Sequence, residues 1–347
     1  MKQIKQIRGE ERLTRLKTLC WLMVGIYMGQ TPHSNKLASH IIGTAKKLSK
    51  AKRLRRWLSN PKVRVRAWYR PVAEGLLNQA AQSHQQIRLI VDGTRIGSRH
   101  QLLMVALAYR RRALPIAWTW VRQKRGHSSA KQQQALLSYV KELMPPEVSV
   151  VLLGDSEFGA VPVLKLLESW QWGYVLRQTS KHTWREPDSA IWHKFGSLGQ
   201  RGQKAWMPQV IFCQSDPIML NLAAVWHPNE VRPWLLVTNL DNLALALRLY
   251  SRRMWIEEMF GDFKANGFDL EALRLRHFLR LSRFTLAAAL LYVWLLAFAS
   301  KVVKNGQRQL IDRTEARHLS YFRIGWDYLQ RCLTNNLSFS FRLLPYF

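Results

Sequence analysis

The first 80 residues carry apolar positions at helical spacing, broken by turn residues at 29–35 and at Asn60-Pro61, which predicts a set of short helices. The most apolar run among them, 18–29, follows a mixed-charge start that contains Glu10 and Glu11. It lacks a small-residue cleavage site and reads as a buried helix, not a signal peptide. From residue 86 the period changes. Runs at 86–92 (QIRLIVD), 102–109 (LLMVALAY) and 114–121 (LPIAWTWV) are apolar or alternating, with breaks at 93–99 and 110–112. They predict three consecutive strands paired as antiparallel hairpins. Helical spacing over 128–143, closed by Pro145-Pro146, leads to a buried strand at 148–153 (VSVVLL), a helix over 158–170 and a strand at 173–177 (GYVLR).

The order β-β-β-α-β-α-β is that of a ribonuclease H-like fold, in which ligands sit at the carboxyl ends of neighbouring strands. A compact domain of that kind has no need of the next stretch, about 56 residues over 179–234, which is rich in polar and turn residues. Strand-like runs at 209–213, 220–225 and 233–238 make it a β-rich insertion. Residues 249–264 hold no Pro and one Gly, and the pair Asn266-Gly267 supplies a stop, so a helix is predicted there. The apolar run 284–299, between Arg283 and Lys301, is about four residues short of a comfortable membrane span and reads as a core helix. The expected architecture is α/β, with a ribonuclease H-like catalytic domain (81–178 and 239–305) interrupted by the insertion (179–238). A basic, helical, DNA-binding domain (1–80) precedes it and a basic helical tail (306–347) follows.

Charge narrows the partners. Against 22 Asp and Glu stand 53 Lys and Arg in 347 residues, a formal +31. That excess points to a polyanion. Because it is spread along the chain and marks no single juxtamembrane or amphipathic segment, nucleic acid is favoured over a membrane surface. Residues 46–70 alone carry eleven Lys and Arg and no acid, with Trp57, Trp68 and Tyr69 interleaved. Such helices suit a DNA backbone or groove, and the same aromatics can equally serve the core. Cys20, Cys213 and Cys332 are too few and too far apart for a disulfide framework or a structural zinc site, and a reducing cytoplasm is the expected compartment.

Candidate chemistry lies in the helix predicted at 249–264. At ~100° per residue, Tyr250, Arg253, Glu257 and Lys264 fall at roughly 0°, 300°, 340° and 320°, on one stripe, with Glu258 off it near 80°. Alone, Arg253 and Glu257 would be an ordinary i,i+4 pair. A carboxylate among two cations and a phenol also suits a metal ligand beside a phosphodiester, the cations holding phosphates. Asp92 falls within the first strand, just before Gly93-Thr94, and Asp155 just after the fourth. A single Asp at a strand end is most often a turn or cap residue. In this strand order, though, the first and fourth strands are neighbours, so the two carboxylates converge and call for a cation.

The spacing Tyr-x2-Arg-x3-Glu-x6-Lys resembles the YREK motif of the DDE transposases of bacterial insertion sequences, the IS-four type. VDGTRI at 91–96 and LLGDSEFG at 152–159 are similar to that family's two catalytic-aspartate segments, and HLSYFRIGWDYL at 318–329 is similar to a segment near the end of such transposases. The resemblance covers residues 86–329 and leaves the first 80 unmatched. It implies a catalytic triad of Asp92, Asp155 and Glu257 holding two Mg²⁺ ions, with Mn²⁺ as the alternative. Tyr250, Arg253 and Lys264 become phosphate holders. Seven of the fifteen Trp lie in or beside the insertion; in relatives, aromatics there stack on a base flipped from the DNA end, and Trp226 and Trp234, nearest the helix, are the candidates.

The implied activity is binding of double-stranded transposon ends, metal-dependent phosphodiester hydrolysis, and joining of the 3′-OH ends to target DNA. A homodimer on DNA, a bacterial cytoplasmic, nucleoid-associated location and no membrane partner complete the expectation. A nuclease or resolvase of the same fold without strand transfer, and a catalytically dead DNA-binding derivative, are the alternatives.

Overall fold

A computed structural model describes residue 5 and residues 9–97, 100–122, 128–340 and 342–347 of the protein. Ser98 and Arg99 of the first predicted turn lie outside the described residues. The chain begins with helices α1 (Leu13–Gly29), α2 (Ser34–Leu37), α3 (Lys47–Ser59) and α4 (Val65–Ser83). Their apolar sides are buried and their charges face out. On α3, Lys47, Lys52, Arg55 and Arg56 are exposed while Leu54, Trp57 and Leu58 are buried; on α4, Trp68 and Tyr69 are buried too. Residues 46–70 therefore present a basic outer face and an aromatic inner one.

A ten-stranded sheet follows, with β1 (Gln86–Ile96), β2 (His100–Tyr109), β3 (Arg112–Arg122), β4 (Ser149–Gly154), β5 (Gly173–Arg177), β6 (Thr183–Arg185), β7 (His193–Lys194), β8 (Lys204–Phe212), β9 (Ile218–Val225) and β10 (Trp234–Thr238). Strand order is β3-β2-β1-β4-β5-β10-β9-β8-β6-β7. The first three strands are antiparallel, and β4 and β5 run parallel to β1, joined through α5 (Ala130–Lys141) and α6 (Val161–Ser169). Parallel neighbours need such crossovers, because a hairpin can only reverse direction. Strand β10 then pairs antiparallel with β5, so the strands of the 179–238 stretch continue the same sheet.

After β10 come α7 (Leu243–Tyr250), a 3-10 turn at Ser251–Arg253 and α8 (Met254–Phe263), then α9 (Phe278–Lys304) and α10 (Tyr321–Thr334). Helix α9 is long and apolar enough to cross a membrane by length and composition, and 83% of its most apolar window is buried inside the protein. Helices that are apolar all round belong in cores of this kind. Arg283 on α9 donates to the Val63 and Leu58 carbonyls, and Trp120 on β3 donates to Thr285, so α9 ties the N-terminal helices to the sheet. Helix α10 begins at Ser320, whose hydroxyl accepts from Arg323 N–H as an N-cap. Its Gly325 lies so near the Leu295 backbone of α9 that a Cβ would collide with it, a structural reason for glycine in the FRIG segment.

Candidate active site

Strands β1 and β4 run side by side, and their last paired residues are Val91 and Gly154. The next residue on each is an aspartate. Asp92 and Asp155 are held alike: Gly93 N–H donates to Asp92 Oδ1 and Ser156 N–H to Asp155 Oδ1, both at 2.7 Å. A Cβ at Gly93 would meet the Gln101 amide packed across the hairpin, so a larger residue there would displace that side chain.

The third acid arrives on α8. Arg253, at the end of the 3-10 turn, is buried and sends Nη1 to Asp92 Oδ2 at 3.3 Å and Nη2 to Glu257 Oε1 at 2.6 Å. One guanidinium thus joins carboxylates from a strand and a distant helix. Its Nε has no hydrogen-bond partner. Burial opposes the Arg253 charge, yet Tyr250, Asp92, Glu257 and Asp155 together hold it above the ordinary arginine range. For Asp92 burial wins in the other direction and pushes the carboxyl up to about 7; Arg253 and the Gly93 N–H act against it, and the negative charges of Asp155 and Glu257 add to it. The three acids therefore share one electrostatic neighbourhood.

Tyr250 closes the other side. Its ring lies under Arg253, 5.9 Å from the guanidinium carbon, and Trp234 meets it edge-on with centroids 5.0 Å apart. The hydroxyl is buried without a hydrogen-bond partner. Burial, opposed by Arg253 and Arg177, pushes it up to about 12, so it remains a proton donor near neutrality. Trp226 is half-buried, its indole N–H donating to the Glu230 carbonyl at 2.9 Å with Arg201 over the ring. Lys264 stands apart. It follows the last residue of α8 with φ −93° and ψ −131°, and its ammonium pairs with Glu271 at 3.1 Å.

Two residues with clear partners here escaped the sequence reading. Arg177, at the end of β5, donates to the Pro233 carbonyl and acts on Tyr250. Glu157, two residues after Asp155, accepts from Ser128 N–H, the Ser128 hydroxyl and the Gln101 amide, clamping the segments on either side of the two aspartates. Its place inside GDSEFG was visible, but its partners come from distant strands and helices.

The donor chemistry fits a hard divalent cation: carboxylates only, one of them driven towards its neutral form by burial and by two neighbouring anions. Among the described residues no three His, Cys, Asp or Glu side chains are drawn close enough to close on a single ion, and Arg253 is what stands between Asp92 and Glu257.

Comparison with known proteins places the same stretch in a family. No curated protein matches the chain in sequence. Among solved structures, the piggyBac transposase synaptic complex with hairpin DNA is similar with a TM-score of 0.43 at 11% identity, over 98% of this chain and 80% of that one. The family model described as the transposase DDE domain matches residues 83–294, the stretch that carries Asp92, Asp155 and Glu257, and the chain belongs to that family.

Proposed function

We propose that this DDE transposase serves a bacterial insertion sequence of the IS-four type, with Tyr250, Arg253, Glu257 and Lys264 as its YREK motif. It binds the double-stranded ends of its element as a homodimer in the cytoplasm, cuts them by phosphodiester hydrolysis and joins the freed 3′-OH ends to target DNA. In this reading residues 81–178 and 239–305 form a ribonuclease H-like catalytic domain and 179–238 its β-rich insertion. The basic outer face of α3 and α4 supplies DNA contact, and 306–347 form a basic tail.

The observation that carries the proposal is the Arg253 bridge, because it brings Glu257 to Asp92 beside Asp155 although the three come from a strand, a strand end and a distant helix. DDE transposase domains use divalent metal ions; here two Mg²⁺, or Mn²⁺, held by Asp92, Asp155 and Glu257 would supply Lewis-acid stabilisation of the attacking and leaving oxygens. Asp92 and Glu257, which the guanidinium balances in this arrangement, would be balanced instead by the metal they would hold. Arg253 is then free to hold a phosphate, a role to which a planar five-donor cation is suited. The Tyr250 hydroxyl, buried and unpartnered, is placed to donate beside it.

The test is cleavage of a duplex carrying the terminal repeats of the element. Glu257→Ala is expected to abolish cutting in Mg²⁺ while leaving end binding within a few-fold, and the unaltered chain is expected to yield joined products, which a nuclease or resolvase would not. Correct-end nicking by Glu257→Ala would overturn the assignment.

A further inference from the structure

Arg88, Arg248 and Arg252 form a second cationic cluster on the same side of the sheet as the acids. Arg88 lies on β1 four residues before Asp92, and side chains two and four apart on a strand share a face. That places it ~13 Å along the strand from Asp92 at ~3.3 Å per residue. Arg248 is in the last turn of α7 and Arg252 in the 3-10 turn that carries Arg253, so the segment that reaches Asp92 lies over the sheet face that Arg88 shares.

These three cations repel one another. Burial, then the charge of Arg248, holds Arg88 below the ordinary arginine range; burial, then Arg88 and Arg248, does the same for Arg252. Arg88 Nε is buried with no hydrogen-bond partner, and Arg252 rests over the Trp255 ring at 5.6 Å. The carbonyl end of α7 offsets some of the Arg248 charge. It does not neutralise three guanidinium groups, and among the described residues no carboxylate is in salt-bridge contact with any of them. Arg248 is exposed and Arg88 and Arg252 are half-buried, so an anion arriving from solvent can reach all three.

We infer that Arg88, Arg248 and Arg252 are a phosphate-binding site for the DNA backbone, engaging the strand a few nucleotides from the phosphodiester at Asp92, Asp155 and Glu257. Guanidinium forks are the groups that hold phosphate oxygens in pairs. Being on one rigid strand and the segment that leads into the glutamate helix, the cluster fixes the DNA in register with the acids. The inference rests on the reading of this site as DNA-processing.

The test is the salt dependence of binding to a fluorescent duplex carrying the element's ends, for the unaltered chain, R88Q/R248Q/R252Q and R88K/R248K/R252K. Each phosphate that is no longer neutralised flattens the slope of log K against log salt by about 0.9, so the glutamine variant is expected to flatten it by about 2 to 3 and the lysine variant to retain most of it. Without DNA, the glutamine variant is expected to melt at or above the unaltered chain, since repulsion is relieved; that melt also certifies its fold. An unchanged slope in a folded glutamine variant overturns the inference and leaves the transposase reading standing. Failure of the unaltered chain to bind or cut the duplex overturns both.

Discussion

Asp92 and Asp155 each accept a hydrogen bond from the backbone N–H of the next residue, at the same 2.7 Å, on strands that end side by side. The match follows from parallel pairing of β1 with β4, because equivalent positions on parallel strands leave the sheet at the same level and in the same direction. Two carboxylates fixed this way cannot spread apart, and their mutual repulsion is relieved by the nearest cation. In this arrangement that cation is Arg253.

Replacing Arg253 with Ala is therefore expected to do two things. Folding stability falls by about 1–3 kcal/mol, since a buried hydrogen-bonded charge loses its partner. Engagement of the terminal phosphates also weakens. Lys264→Ala is expected to act more weakly, because its ammonium is already committed to Glu271. Urea denaturation and end-binding titrations on the two variants check the order; an equal or larger effect of Lys264→Ala would contradict it.

Trp234 is expected to matter more than Trp226, because its indole packs edge-on against Tyr250 whereas Trp226 serves a loop through Glu230. Trp234→Ala should cost about 0.5–1.5 kcal/mol beyond the lost burial and reduce DNA-end affinity, with Trp234→Phe recovering part. If either tryptophan stacks on an extruded base, 2-aminopurine placed at the terminal nucleotides should be quenched by the unaltered chain and not by the corresponding Ala variant. Quenching that survives both substitutions would remove both from that role.

Asp262 braces the glutamate helix from behind. It is almost fully buried, accepts from Arg112 Nε at 2.8 Å and from the Tyr292 hydroxyl at 3.1 Å, and burial still pushes it up to about 6. An acid whose folded pKa exceeds the unfolded value near 3.9 holds a proton that the unfolded chain has lost, so its contribution is full below about pH 4 and declines as pH rises through 6. The stability of the unaltered chain relative to Asp262→Asn is thus expected to fall by about 2 kcal/mol or less between about pH 4 and pH 6.5 and to level off above. Urea midpoints of both chains across that range read it directly; a difference that grows with pH would contradict it.

Much of this was legible in the chain because apolar runs and spacing dominate these elements. The five strands and two helices from β1 to β5 follow from alternation and turn residues, and Asp92, Asp155 and Glu257 from strand ends and a helix stripe. Three things were hidden for physical reasons. The short β6 and β7 carry little alternation, and β8 begins before Pro208 and a register shift between Met207 and Val210, so its first half does not read as a strand. Extending one helical period through Lys264 puts it on the stripe with Glu257. The 3-10 turn at Ser251–Arg253 changes that period and α8 stops at Phe263, so the azimuth of Lys264 no longer follows. The Arg253 bridge itself depends on burial and on a partner 161 residues away, which no local pattern encodes.

The most direct test of the proposed metal site is Mn²⁺ binding, followed by electron paramagnetic resonance, to the chain on a duplex carrying the proposed element's ends. Bound Mn²⁺ is expected in the unaltered complex and is expected to be lost, in whole or in part, in each of Asp92→Asn, Asp155→Asn and Glu257→Gln. Undiminished Mn²⁺ in any one of the three would show that its carboxylate is not a ligand.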